Sequence, residues 1–262
     1  MKVKVAVTGG NGRMGRVLID LVEQRMDLEL AGIVLAAGEA VPAAPPASLS
    51  LYGHDIHHGL AAADVLIDFT TPDAVGTHAD ACARTGTAWV VGTTGLSAAQ
   101  QTFVLEAADI IPVCQSANFS TGVNLMLRLV ELAALAAEGD TDLEVIEAHH
   151  RHKVDAPSGT ALAIGRAMAS GRGVDLDEHA VKSREGITGP RPSGAIGFST
   201  IRGGDIVGEH TALFASEGER LEITHRAGTR LAFARGALRA AGWLVSQPHG
   251  LYDMQDVLQL RA

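Results

Sequence analysis

Apolar and polar positions along the chain follow two rhythms, with the change after a long helical stretch at Val123 to Ala137. Before it, short apolar runs alternate with stretches of helical period. Lys2 to Thr8 reads as a strand, with Val3, Val5 and Val7 apolar, and Arg16 to Arg25 as an amphipathic helix. Leu28 to Val34, Ala63 to Phe69, Trp89 to Val91 and Ile111 to Cys114 read as further strands. Helices are predicted over Asp73 to Thr85 and Ala98 to Ala108. This alternation predicts a parallel sheet. After the long helix, Asp142 to His149, Ala195 to Ile201, Ile206 to Ala215 and Arg220 to His225 read as strands with one intervening helix. Leu143, Val145 and Ile146 are the apolar residues of the first of these. Leu231 to Leu244 is helical again, and Ala234, Ala237, Leu238, Ala240 and Ala241 give it a buried-looking face. The pattern predicts an α/β protein: an N-terminal Rossmann-like parallel sheet, plus an α+β second domain with a mixed sheet. The last helix is expected to return to the first domain, which makes that domain discontinuous, 1–117 with 230–262, around a second domain over 118–229.

Composition narrows the class. The 262 residues are 47% apolar but only 4% aromatic, so the core must be built from Ala, Val, Leu and Ile. A net charge of −9 argues against a nucleic-acid surface. Cys82 and Cys114 are expected to be packed small hydrophobes. The start of the chain shows no secretory apolar region and no apolar run is long enough for a bilayer, so no membrane partner is expected and a reducing cytoplasm fits. Ala36 to Ser50, with three prolines, reads as a loop, followed by exposed loop histidines at 54, 57 and 58. Lys182 to Ser193 is a second loop, in which Arg184 and Arg191 are surface charges or a clamp for an anionic ligand.

Gly9, Gly10, Asn11, Gly12, Arg13, Met14 and Gly15 follow the first strand and lead into the first helix. Glycines there permit a tight turn and close approach of a pyrophosphate, and Arg13 adds a cation. This context favours dinucleotide binding over a structural turn. Gly92, Thr93 and Thr94, and then Ser116, Ala117, Asn118 and Phe119, lie past later strand ends, where ligands bind in open α/β sheets; plain turns are the alternative. The acid or arginine that usually ends the second strand is missing. The chain has Leu35-Ala36-Ala37-Gly38 there, with Glu39 the nearest acid, in a loop.

The densest chemistry is the run from Glu147 to Ala161, which sets His149, His150, Arg151, His152 and Lys153 side by side at a strand end. Ser158 reads as a helix N-cap, with Thr160 to Ala169 helical behind it. The backbone N–H groups of Gly159 and Thr160 then face out at a positive helix end, a carboxylate site that Lys153 can also reach. The histidines lack metal-ligand spacing and carry no supporting Cys or carboxylate cluster, so no metal is expected. A solvated basic strand edge is the competing reading.

Together with Gly203 to His210, these motifs run in order along nearly the whole chain, and the chain resembles the 4-hydroxy-tetrahydrodipicolinate reductase (dihydrodipicolinate reductase) family. The resemblance implies an enzyme that uses NADH or NADPH in the diaminopimelate route to lysine, acts on a small cyclic dicarboxylate and assembles as a homotetramer through the second domain's sheet. It implies that His149 and Lys153 are catalytic. His150, Ser158, Gly159 and Thr160 would bind substrate, and Gly9 to Met14, Gly92 to Thr94, Ser116 to Phe119 and Arg230 the nucleotide. The family commonly has Glu-Arg where this chain has Leu35-Ala36, which leaves cofactor preference open and predicts a weakened hold on both cofactors. A related amino-acid dehydrogenase and a non-catalytic dinucleotide-binding module are the alternatives.

Overall fold

The computed structural model describes residues 2–41 and 52–261. The chain forms two compact units, Met1–Thr121 with Arg230–Ala262, and Gly122–Thr229. The expected Pro-rich loop lies mostly outside the described residues.

The first unit is a seven-stranded, wholly parallel sheet. Its strands are β1 (Val3–Thr8), β2 (Leu28–Val34), β3 (Tyr52–Gly53), β4 (Val65–Asp68), β5 (Ala88–Val91), β6 (Pro112–Gln115) and, from the end of the chain, β12 (Gly250–Tyr252). Their order is β12-β6-β5-β4-β1-β2-β3. The chain builds outward from β1 in one direction and from β4 in the other, so the order reverses between these two strands. In an open parallel sheet, that reversal marks the ligand crevice.

Both faces of the sheet are covered, which explains strands that are apolar throughout rather than alternating. Val5, Val7, Ile67 and Val90 join a core with α1 (Arg13–Glu23) and α8 (Leu231–Leu244). Ala6, Leu66, Trp89 and Val91 join another with α2 (Ile56–Leu60), α3 (Val75–Thr85) and α4 (Ala98–Ala108). Cys82 and Cys114 are free and fully buried in these cores, and burial pushes the Cys114 thiol up to about 12. Gly236 lets α8 close on the first unit, because a Cβ there would lie 1.7 Å from the Phe119 carbonyl oxygen.

The second unit opens with α5 (Thr121–Ala136) and carries a mixed sheet, β11-β10-β7-β9-β8. Its strands are β7 (Asp142–His149), β8 (Ala180–Val181), β9 (Ile196–Arg202), β10 (Gly208–Ser216) and β11 (Glu219–Ala227). β7 runs parallel to β9 and antiparallel to β10. Leu143, Val145, Ile196, Phe198, Ala212 and Phe214 turn inward to a core with α5 and α6 (Gly159–Arg172).

Several sequence expectations need correction. α1 starts at Arg13 rather than Arg16, because Gly15 sits inside the first turn and a Cβ there would be 2.2 Å from the Gly9 oxygen. Ile146 faces outward, as the strand period requires once Leu143 and Val145 face in. His57 and His58 are exposed as expected but stand on α2, which Asp55 caps by accepting from the His57 N–H at 2.9 Å. β3, α2, β8, β12, α7 (Leu176–His179) and α9 (Met254–Val257) are each too short to show a period. The 182–193 loop is pinned to β7. Arg184 grips Glu144 with both terminal nitrogens (3.0 and 2.7 Å), and Arg191 donates to Glu144 (3.1 Å), Asp142 (2.8 Å) and the carbonyls of Leu143 and Ala195 (2.9 and 2.6 Å). These arginines are structural anchors and not a clamp held ready for a ligand.

Candidate active site

In the first unit, the loops at 9–14, 92–94 and 116–119 each leave the carboxyl end of a strand in one parallel sheet, so the three share one edge. Gly9 adopts φ +65°, and the Gly12 N–H closes the turn on the Gly9 oxygen at 2.8 Å. Gly12 caps α1 without any side-chain bond, and the first turn holds no acid. The amides at this helix start therefore face the loop uncapped, as a bound pyrophosphate requires. Arg13 is exposed and Met14 half-buried against the core.

The edge is stiffened by the acid that ends β4. Asp68, fully buried at the end of β4, accepts from Thr8 Oγ1 (3.1 Å), the Thr70 N–H (3.0 Å), Thr70 Oγ1 (2.6 Å) and His78 Nδ1 (2.7 Å). Burial pushes its pKa up, but the bonds and charge from His78 prevail and hold it below the usual carboxylate range. Gly92 lies over the Phe69 ring, where a Cβ would come within 2.3 Å, and Phe69 meets Phe119 edge-on at 5.4 Å. Phe119 is thus a packing residue, 1% exposed. Ser116 Oγ donates to the Asn118 oxygen at 2.9 Å, and Asn118 Oδ1 accepts from the Ser120 N–H at 2.8 Å, which fixes the 116–120 turn. The buried Thr93 hydroxyl has no partner among the described residues. An orphaned donor on the same sheet edge as an uncapped helix start fits a dinucleotide. Arg230 is exposed at the start of α8.

In the second unit, alternation along β7 puts Glu147 and His149 on the inward face. His149 Nδ1 bonds Glu147 Oε2 at 2.5 Å. Glu147 is 1% exposed and also takes two bonds from Arg202 (both 2.8 Å), one from the Ser158 N–H (3.1 Å) and a longer one from Thr200 Oγ1 (3.4 Å). Burial alone would raise the Glu147 pKa, but Arg202 and His149 outweigh it and keep the group ionised. A carboxylate can only accept, so His149 carries its proton on Nδ1 and presents Nε2 as the working atom. Gly208 gives that atom room: a Cβ there would lie 3.0 Å from Nε2. Burial, then the charges of Lys153 and Arg202, depress the His149 pKa despite Glu147.

His210 lies edge-on to His149 at 5.0 Å and bonds Ser158 Oγ at 3.1 Å, and burial drives its pKa down to about 4. Ser158 Oγ also caps α6 by accepting from the Ala161 N–H at 3.2 Å. Ser158 is 2% exposed, and its hydroxyl and N–H are both engaged within the protein. It positions the helix start rather than offering a free contact. Gly159 is exposed and Thr160 half-buried in that first turn. Lys153 Nζ pairs with Asp155 at 2.9 Å, and Arg202 holds the Asp155 carbonyl at 2.6 Å. His150 keeps its backbone on Ile206 (2.7 Å), while its buried Nδ1 has no partner among the described residues. Arg151 and His152 are exposed. Among the described residues, no cluster of three His, Cys, Asp or Glu stands where it could hold a metal ion.

Residues 3–119 match the family described as "Dihydrodipicolinate reductase, N-terminus" and residues 122–258 the one described as "Dihydrodipicolinate reductase, C-terminus". The 4-hydroxy-tetrahydrodipicolinate reductase of Alkalilimnicola ehrlichii is 53% identical over 99% of this chain and 100% of its own. That of Pseudomonas fluorescens is 50% identical over 98% of this chain and 99% of its own. A solved dipicolinate-bound dihydrodipicolinate reductase from Paenisporosarcina sp. TG-14 superposes with a TM-score of 0.80 at 25% identity, covering 98% of this chain and 99% of that one. With both halves matched in order over nearly its whole length, the chain belongs to the dihydrodipicolinate reductase family.

Proposed function

We infer that the protein reduces 4-hydroxy-tetrahydrodipicolinate to tetrahydrodipicolinate with NADH or NADPH, in the diaminopimelate route to lysine. The observation that carries the mechanism is the buried Glu147–His149 pair beside the start of α6. Gly9 to Met14, Gly92 to Thr94, Ser116 to Asn118 and Arg230 are the residues that would hold the dinucleotide. When bound, it supplies the hydride.

The substrate is a cyclic dicarboxylate, and the second unit meets its charge twice. The Gly159 and Thr160 amides at the start of α6 take a carboxylate. Lys153 and His150 add donors around it. The 4-hydroxyl leaves as water, and as the conjugated ring so formed gains a hydride, negative charge grows toward its nitrogen and the neighbouring carbon needs a proton. His149 Nε2 delivers that proton, and the Lys153 ammonium stabilises the growing charge. Glu147 favours the imidazolium that must form before each delivery. An incoming dianion does the same, so substrate itself raises the depressed His149 pKa toward neutrality. Arg202 in turn holds Glu147 ionised and in place.

The working form is a cytoplasmic homotetramer joined through the second unit's sheet, with no nucleic-acid or membrane partner. One observation supports the assembly: the face of that sheet turned away from α5 and α6 carries exposed Ile146 and Ile201. No described helix is long and apolar enough to cross a membrane. Sedimentation tests the assembly. The activity is tested by feeding the protein substrate made in place by the preceding synthase and following loss of reduced nicotinamide absorbance. Oxidation that depends on the synthase is expected. A response to amino acids instead would favour a dehydrogenase, and cofactor binding without turnover would favour a dinucleotide-binding module.

A further inference from the structure

The end of β2 has no acid of its own, yet a carboxylate stands there. Leu35 turns inward, 3% exposed, against Ile33. Ala36 and Ala37 are exposed and too short to reach anything above the strand end. Gly38, at φ +82°, then reverses the chain, and the Glu39 N–H closes the turn on the Ala36 oxygen at 3.1 Å. The reversal carries the Glu39 side chain back over the strand it has just left. Glu39 Oε2 faces the Ala36 N–H and Asn11 Nδ2, each at 3.4 Å, and Asn11 also donates to the Ala40 oxygen at 3.2 Å. His54 Nε2 contacts the Glu39 carbonyl at 2.8 Å and steadies the turn from its other side. Asn11 belongs to the glycine-rich loop, so the 36–40 turn is strapped to the loop expected to carry the pyrophosphate.

We infer that Glu39, folded back by the Gly38 turn onto Asn11 of the glycine-rich loop, reads the adenosine ribose and makes NADH the preferred cofactor. The inference rests on the reading of that loop as the dinucleotide site. An acid at the end of the second strand of such a fold accepts from the ribose hydroxyls, with the strength of a charge-assisted bond. The contacts to Ala36 and Asn11 are long, so little is lost when the carboxylate turns to a ribose. A 2′-phosphate would bring a second anion against the carboxylate, with no cation at 35 or 36 to receive it. The alanines leave the space, and the turn after them supplies the charge.

The test is direct titration of the wild-type protein, Glu39→Ala and Glu39→Gln with NADH and with NADPH, read by nicotinamide fluorescence or calorimetry. The wild-type protein should bind NADH at least about tenfold more tightly than NADPH. Glu39→Ala should weaken NADH by about tenfold, leave NADPH equal or tighter, and so erase the preference. Glu39→Gln, which keeps the shape and removes the charge, should recover part of the NADPH binding. Equal affinity in the wild type, a preference for NADPH, or a Glu39→Ala protein that keeps the wild-type ratio would each overturn the assignment. A wild-type protein that bound neither cofactor would bring down the dinucleotide reading and the Glu39 assignment with it.

Discussion

The glycine-rich loop of the first unit and the histidine cluster of the second are the two proposed anion sites, and they are built by opposite means. The loop works through missing atoms: Gly12 offers no cap, and Gly15 has no Cβ to strike the Gly9 carbonyl. The cluster works through side chains that brace one another, from Arg202 to Glu147 to His149, with Ser158 and His210 alongside. The first site is damaged by adding an atom, the second by removing one. A backbone site holds its geometry at any pH, whereas a site of buried titratable groups answers to pH.

Removing atoms from the cluster should have the largest effect. His149→Ala should lower kcat by about 10²–10⁴-fold with a smaller change in KM, measured by steady-state kinetics. Glu147→Gln, which leaves the imidazole present but weakens its partner, should cost less, about tenfold in kcat. Unchanged turnover in His149→Ala would remove the residue from the mechanism. The pH dependence comes next. Burial holds the folded pKa of His210 at about 4, below the ordinary 6.5, so the unfolded chain takes the proton first. Stability is therefore full above pH 6.5 and should fall as pH drops toward 4, by up to about 3 kcal/mol from this group. Glu147, depressed below the carboxylate range, loses its contribution in the same direction. Denaturant unfolding across this window should show the slope, and His210→Gln should flatten it. A flat wild-type curve would contradict the account. Adding one atom to the loop should do less: Gly15→Ala should destabilise by about 1–3 kcal/mol and weaken both cofactors, read by melting temperature and titration. The smallest effect is expected for Thr160→Val, which keeps the backbone amide. It should raise KM by up to about tenfold and leave kcat unchanged.

Much of this architecture was legible from spacing, for reasons the structure makes plain. Parallel strands buried on both faces leave continuous apolar runs, and Ser158 announces α6 by the bond it makes there. Glu147 was readable too, since it continues the inward alternation of Leu143 and Val145 to His149. Its partner Arg202 was not readable. That pairing depends on the parallel register that sets Arg202 across from His149 between β7 and β9, and no local pattern specifies it. Glu39 was hidden differently: it was visible as an acid in a loop, and only the Gly38 reversal returns it to the strand end. Where tertiary contact overrides local preference, as with Gly15 inside the first turn of α1, propensity misplaces the boundary.

The discontinuity of the first unit has a consequence for how the protein is born. On a ribosome, the 122–229 unit is synthesised whole before α8, β12 and α9 exist. The first core includes Ala237, Leu238, Leu244, Met254 and Val257, so it cannot finish closing until these residues have been made. The second unit can thus mature while the first still waits for its last helix.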